Sequence, residues 1–319
     1  MGKLAFLFPG QASQYPGMGK ELAEKFPAAA KVFAEADAVL GVAISQMCFA
    51  GTEEELKLTA NTQPAILTVS VAAFRILEEK GIRPQYVAGH SSGEYSALVA
   101  AGGLAFPDAL KLVRKRGAYM QEAVPAGVGA MAAILGLSPA QVTEICKKAA
   151  DGEVVAPANL NSPEQTVISG HAAAVKRAVE LASQSGAKRA VVLPVSAPFH
   201  CALMMPAQTR LEADLHKTPF SNLRVPLVTN VDADTISTGE EAREALIRQV
   251  SLPVRWEESM RLLIDEGVTT FVEVGPGRVL TGILRQIERS VHCFNVEDEK
   301  SLQSTLEKLA QAQAETAEA

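Results

Sequence analysis

Apolar positions along this chain repeat with two periods, and the period changes at sharp punctuation. Lys3–Phe8 is a nearly uninterrupted apolar run closed by Pro9-Gly10, which predicts a buried strand. From about Gly19 to Ala36 the apolar spacing is helical. It is helical again from Pro64 to Lys80, with proline in the first turn and Gly81 just past the last. Tyr86-Val87-Ala88 predicts a short strand, Gly89-His90-Ser91-Ser92-Gly93 a sharp turn, and Glu94 to Ala101 a return to helix. Pro107 to Glu122 predicts a further helix. Strands alternating with helices point to an α/β fold around a mostly parallel sheet.

The order of elements changes between Gly129 and Pro194. Ala130 to Leu135 reads as a strand. Ser138 reads as a helix cap, with Pro139 in the first position and Gln141 three after the cap, the spacing of a capping box. Val154 to Ala158 and Thr166 to Ser169 read as strands, Ala172 to Ser185 as a helix closed by Gly186, and Lys188 to Leu193 as a strand. That succession is β-α-β-β-α-β, the ferredoxin-like pattern. Turn-rich flanks, VPAGVG and VSAP, mark off 127–195 as an inserted subdomain, leaving 1–126 and 196–319 as one catalytic core. From Leu203 the α/β alternation resumes, and Thr270 to Val274 predicts a strand before Gly275-Pro276-Gly277. No internal repeat is present.

Composition narrows the class. With 319 residues and 48% hydrophobic content the chain can bury a sizeable core. Only the terminal QAQAETAEA is polar and Ala-rich enough to be expected to fray. A net charge of -6 argues against nucleic acid as the main partner. No apolar run approaches the ~18 residues of a membrane span, and MGKLAFLFPG lacks the length and cleavage site of a signal peptide. A cytoplasmic protein is expected. Cys48, Cys146, Cys201 and Cys293 are far apart and form no CxxC pair, so neither a metal site nor a disulfide framework is expected.

The candidate chemistry starts at Gly89-His90-Ser91-Ser92-Gly93, which fits the G-x-S-x-G nucleophile elbow in its strand–turn–helix context. Small glycines permit the tight bend, the turn lifts the Ser91 hydroxyl clear of the sheet, and the following helix offers the Ser92 N–H to a developing oxyanion. A serine also needs a base. Of five histidines, His90 adjoins Ser91 but is read as directed to the far side of the turn. His171 starts a subdomain helix, and His216 and His292 occupy ordinary helix and strand settings. His200, in the loop Val195-Ser196-Ala197-Pro198-Phe199-His200, suits a cleft.

Six motifs occur in one order: Gly10-Gln11, GHSSGE from Gly89 to Glu94, KRGAYMQEA from Lys115 to Ala123, NLNSPEQTVISG from Asn159 to Gly170, APFH ending at His200, and EVGPG from Glu273 to Gly277. Together they resemble the malonyl-CoA:acyl carrier protein transacylases and the acyltransferase domains of fatty acid and polyketide synthases. The likeness runs from Phe8 to about Arg285. It implies an α/β-hydrolase-like core carrying the ferredoxin-like insertion. It implies that Ser91 is the nucleophile and His200 its base, with Gln249 accepting from His200 through its side-chain or backbone carbonyl. It further implies that Gln11 and Ser92 supply the oxyanion-hole N–H groups and that Arg116 binds the malonyl carboxylate. Phe199 is part of the malonyl-selective pattern, and His90 and Gln63 are further candidates for reading the substrate. Malonyl-CoA and acyl carrier protein are the implied partners of a monomer that needs no cofactor or metal.

Other residues keep two readings. Gln63 faces the site or caps a helix. Asn159 and Asn161 shape the cleft wall or only a turn. Gly275-Pro276-Gly277 brings a helix N-terminus to an anion or is loop geometry alone. Cys201 is read as packing. Arg116, without the resemblance, reads as an exposed helix cation beside Lys111, Arg114 and Lys115. Lys176, Arg177, Lys188 and Arg189 form a basic patch for an acidic carrier protein or a solvated face. An esterase using the same elbow would order its residues serine, acid, late histidine. Here His200 lies mid-chain, and the late His292 sits in a strand-like run. A carrier-binding scaffold without activity would have lost the serine or the histidine.

Overall fold

The computed structural model describes residues 2–195 and 197–317, and of 312–317 the backbone alone. Its ten strands are β1 (Lys3–Phe8), β2 (Tyr86–Gly89), β3 (Gly129–Leu135), β4 (Val155–Ser162), β5 (Gln165–His171), β6 (Arg189–Val192), β7 (Leu227–Val228), β8 (Thr235–Ile236), β9 (Val268–Val274) and β10 (His292–Val296). They form a six-stranded sheet, β10-β9-β1-β2-β7-β8, and a four-stranded sheet, β4-β5-β3-β6.

In the larger sheet every pairing is parallel except β7 with β8 at the edge. Helices cover both faces, which is why β1 is apolar along its length rather than alternating. Phe6 and Phe8 enter one core with Phe74 and Tyr95, while Ala5 and Leu7 enter another with Trp256, Met260 and Leu280. The register aligns Phe8 with Gly89 and Leu7 with Glu273. The loops that follow β1, β2 and β9 therefore leave the sheet side by side at its carboxyl edge, where open α/β sheets hold their ligands.

The smaller sheet is antiparallel throughout, with the connectivity of the ferredoxin-like pattern. Helices Pro139–Ala149 and Ala172–Gln184 pack on one face around Ala132, Ile134, Val142, Ile168 and Val175. The expected capping box is present, with Gln141 N donating to Ser138 Oγ (3.3 Å) and Ser138 N to Gln141 Oε1 (2.9 Å). The smaller sheet is tied to the segment before the helix Trp256–Asp265, where Val254 N donates to Ala158 O (2.8 Å) and Leu160 N to Val254 O (2.9 Å).

Three expected elements differ. The helix expected over Gly19 to Ala36 is two helices, Lys20–Lys25 and Pro27–Leu40, because the residue before Pro27 turns extended. The helix expected from Pro64 starts at Thr59 and carries Pro64 inside it. The carbonyl of Ala60, which proline leaves without an intrahelical donor, accepts from Arg114 Nη1 at 3.1 Å instead. The tail expected to fray continues the helix Glu299–Ala317, while residues 318–319 lie outside the described part. No helix among the described residues is long and apolar enough to cross a membrane.

Candidate active site

Ser91 lies between β2 and the helix Gly93–Ala101 with φ at 52°, a left-handed conformation that non-glycine residues adopt at about 1–3 kcal/mol. Its neighbours must be glycine for a steric reason. A Cβ on Gly89 would stand 2.0 Å from the Gly93 carbonyl oxygen, and one on Gly93 would stand 2.1 Å from that of Phe8. The strained peptide is clamped from both sides. Asn230 Oδ1 accepts from Ser91 N (2.7 Å), Asn230 Nδ2 donates to Gly89 O (2.7 Å), and Gln249 Nε2 donates to Ser91 O (3.0 Å).

His200 meets this serine from 109 residues away, with Nε2 at 2.7 Å from Ser91 Oγ. It is itself left-handed, φ 58°, where an extended loop was expected. Nδ1 lies 2.9 Å from the backbone carbonyl of Gln249. A carbonyl only accepts, so Nδ1 carries the proton and Nε2 is left to accept from the Ser91 hydroxyl. Burial pushes the imidazole down to about 3, and the nearby Arg116 guanidinium adds to the depression. His200 is therefore neutral in the resting site.

Arg116 is only 1% exposed, which removes the reading as a surface helix cation. Its Nη2 donates to Ser91 Oγ (3.2 Å) and to the side-chain Oε1 of Gln249 (3.0 Å). Its guanidinium lies 5.9 Å from the Tyr95 ring centre. Its Nε has no hydrogen-bond partner among the described residues. Of the two options for Gln249, the backbone carbonyl orients His200, and the side chain serves the elbow and Arg116.

Among the described residues, no hydrogen bond engages the N–H of Gln11 or of Ser92. The two loops press together, since a Cβ on Gly10 would stand 2.3 Å from the His90 carbonyl oxygen. A cavity of about 250 Å³ opens over Ser91 and His200. Gly10 and Gln11 form one wall, Met131, Ala133, Val167, Asn159 and Asn161 of the smaller sheet another, and Val279, Leu280 and Ile283 a third. Phe199 lines it beside His200. His90 also lines it, rather than facing away from the serine, with Nε2 2.9 Å from Asn161 Oδ1 and its ring edge-on to Trp256 at 5.2 Å.

Gln63 neither caps its helix, whose cap is Leu58, nor lines this cavity; it is buried, with Nε2 3.9 Å from Met120 Sδ. Cys201 is buried and donates to Pro198 O, as packing requires. Half of the basic patch is engaged within the chain, Arg177 with Glu153 and Lys188 with Glu164. His292 lies in β10. Sequence reasoning assigned no role to Asn230, in the run VTNVDAD, or to Glu94. Their function depends on the approach of a distant strand end to the elbow, which no local signal reports.

A sequence-family model described as acyl transferase domain matches residues 5–315. The chain belongs to that family. It is 50% identical over 97% of its length to the malonyl CoA-acyl carrier protein transacylase of Bacillus subtilis, covering 98% of that protein. It is 47% identical over 96% of its length to that of Escherichia coli, covering all of it. The structure of the malonyl CoA-acyl carrier protein transacylase from Coxiella burnetii superposes with a TM-score of 0.95 at 45% identity, over 97% of this chain and 98% of the other. A malonyl-transacylase solved in complex with a type II PKS acyl-carrier protein superposes at 0.94 with 46% identity, over 96% and 99%. For an acyl transferase domain the arrangement is chemically complete. It holds a serine hydroxyl bonded to a neutral imidazole, a carbonyl fixing that imidazole, two N–H groups nearby without a partner among the described residues, and a buried cation at the hydroxyl.

Proposed function

We propose that this acyltransferase moves a malonyl group from malonyl-CoA to the phosphopantetheine thiol of acyl carrier protein, through an ester on Ser91. The observation that carries this reading is the buried Arg116 guanidinium, 3.2 Å from Ser91 Oγ. An acyl group on that oxygen has a cation beside it and no carboxylate bonded to the cation. A terminal carboxylate supplies the partner, and a guanidinium can grip it with two parallel bonds. The names of the relatives agree.

In the first half-reaction His200 Nε2 takes the Ser91 proton as Oγ attacks the thioester carbonyl. The oxyanion is received by the N–H groups of Gln11 and Ser92. The carbonyl re-forms, the bond to sulfur breaks, and His200 returns the proton to the departing CoA thiolate. In the second, the carrier thiol gives its proton to His200, its sulfur attacks the seryl ester, and Ser91 Oγ leaves with that proton. Gln249 O holds the Nδ1 proton throughout. Phe199 and His90 are assigned to the acyl pocket. Gln63, one layer behind, acts only through its neighbours.

Residues 127–195 are taken as the inserted unit that covers the cleft, and a cytoplasmic monomer serving fatty acid or polyketide synthesis is the setting proposed. The test is mass spectrometry after brief exposure to malonyl-CoA. A malonyl adduct on the peptide containing Ser91 is expected, and a protein that hydrolyses the thioester without accumulating it overturns the reading.

A further inference from the structure

Glu94 lies in the first turn of the elbow helix, is buried, and has no part in the steps above. Its Oε2 accepts from Gln249 Nε2 (2.8 Å) and from Asn230 N (3.0 Å), while Oε1 has no hydrogen-bond partner among the described residues. A buried carboxyl group with one oxygen unpartnered is unfavourable by comparison with an apolar residue, so packing alone does not account for it.

Its two donors are the residues that grip the reactive peptide. Gln249 is the more informative, because its amide has two chemically different ends. Nε2 faces three acceptors: Glu94 Oε2, Ser91 O at 3.0 Å and Asn230 Oδ1 at 3.3 Å. Oε1 faces the donor Arg116 Nη2 at 3.0 Å. Reversing the amide would turn its oxygen toward the three acceptors and its NH₂ toward the guanidinium. Glu94 makes the shortest of those contacts, 2.8 Å, and is the only acceptor among them that can ionise, so it contributes most to the choice of orientation.

We propose that Glu94 is a positioning residue: by fixing the Gln249 amide with its oxygen toward Arg116, it aims the guanidinium at the acyl group on Ser91 and so sets selectivity for acyl groups ending in a carboxylate. The chain of contacts is Glu94 to Gln249 to Arg116 to Ser91, and each link is a hydrogen bond. The inference rests on the reading of Arg116 as the carboxylate receptor. A simple counter-charge role differs in one respect. Orientation needs only an acceptor at the Oε2 position, whereas counter-charge needs an anion.

Three variants separate these. Glu94→Gln keeps an amide oxygen for the two donors and loses the charge. Glu94→Ala loses the acceptor, and Glu94→Met loses it while filling the same space, so that a result is obtained if Glu94→Ala does not fold. The readout is kcat/KM for malonyl-CoA and for acetyl-CoA on protein matched for folded fraction by thermal melting. A destabilised but correctly aimed site loses both rates together. With Arg116 misaimed, the malonyl-to-acetyl ratio falls about tenfold or more in Glu94→Ala and Glu94→Met and stays within about threefold of wild type in Glu94→Gln. An unchanged ratio in Glu94→Met overturns the assignment, as does a Glu94→Gln ratio as low as that of Glu94→Met. A wild-type protein that forms no malonyl adduct on Ser91 instead removes the reading beneath it.

Discussion

Arg116 Nη2 and Ser91 Oγ stand 3.2 Å apart, the guanidinium buried and the hydroxyl at the floor of the cavity. The Ser91 hydroxyl, which also donates to His200, thus has a guanidinium cation beside its oxygen. That charge favours the developing alkoxide, and it disfavours a second cation on the imidazole 2.7 Å from the same oxygen. A carboxylate bound to that guanidinium, as proposed for a malonyl group, would weaken both effects together. On the proposed reading, acyl recognition and base strength are coupled through one side chain.

Replacing Arg116 with Ala is expected to lower kcat/KM for malonyl-CoA by about 10²-fold or more, the loss of a buried charged pair at 1.36 kcal/mol per decade. Acetyl transfer should fall less, so the malonyl-to-acetyl ratio drops. Arg116→Lys restores part of it, because an ammonium cannot form the fork. A ratio unchanged in Arg116→Ala means that the carboxylate is read elsewhere.

The acid limb of the pH profile should lie far below the ordinary histidine range. In the proposed mechanism His200 acts as the neutral base, and its folded value is pushed down to about 3, first by burial and then by Arg116. The free enzyme accordingly keeps its base unprotonated as pH falls past 6. Removing the guanidinium removes one lowering influence, so in Arg116→Ala the limb moves to higher pH. Acetyl-CoA profiles of wild type and variant, which avoid titration of the malonyl carboxylate, measure the shift.

Ser91→Ala should form no acyl-enzyme while melting near the wild-type temperature, since only the hydroxyl is lost. His200→Ala should slow both half-reactions by about 10²–10⁴-fold. Single-turnover acylation and deacylation, timed separately by mass spectrometry, distinguish one shared base from two.

Gly93→Ala is expected to be more damaging than its size implies. The added Cβ would lie 2.1 Å from Phe8 O and 2.8 Å from Pro9 O, both backbone atoms of the central strand and its loop. The elbow must then separate from β1 and the loop after it, which carries Gln11. Loss of acylation together with a lower melting temperature is the expected pair of results, and an active variant would show that the loop yields.

Glu273, at the end of β9, accepts from the N–H groups of Leu280 (3.0 Å) and Thr281 (2.7 Å), yet burial pushes its carboxyl up to about 7. A carboxyl raised in the folded state gives stability that is full below its unfolded value and lost as pH rises through its folded one. Glu273→Gln, which does not titrate, should be less stable than wild type at pH 5, with the gap narrowing by pH 8. Denaturant melts at both values check the sign, and a gap that widens with pH refutes it.

Much of the frame was legible in the chain. Lys3–Phe8 was readable as a buried strand because a strand covered on both faces is apolar throughout, and the capping box at Ser138 because its partners lie three residues apart. The elbow was legible for the same reason: its glycines, serine and following helix are local to five residues. Nothing local, however, reports that Arg114 satisfies the carbonyl stranded by Pro64, so the true start of that helix was missed.

The sequence by itself determined the layered α/β class, the inserted β-α-β-β-α-β unit and, through ordered motifs, the candidate pair Ser91 and His200. Only the tertiary structure decided that Arg116 is buried on the nucleophile, that Gln249 serves His200 through its backbone and Arg116 through its side chain, and that Asn230 and Glu94 stand behind the elbow. Local order is written in near-neighbour spacing, because turns, caps and amphipathic faces are made by residues a few positions apart. Burial and charge pairing depend on which distant segments the sheet brings to one edge. A lone arginine in a basic run looks the same in sequence whether that edge covers it or leaves it in water.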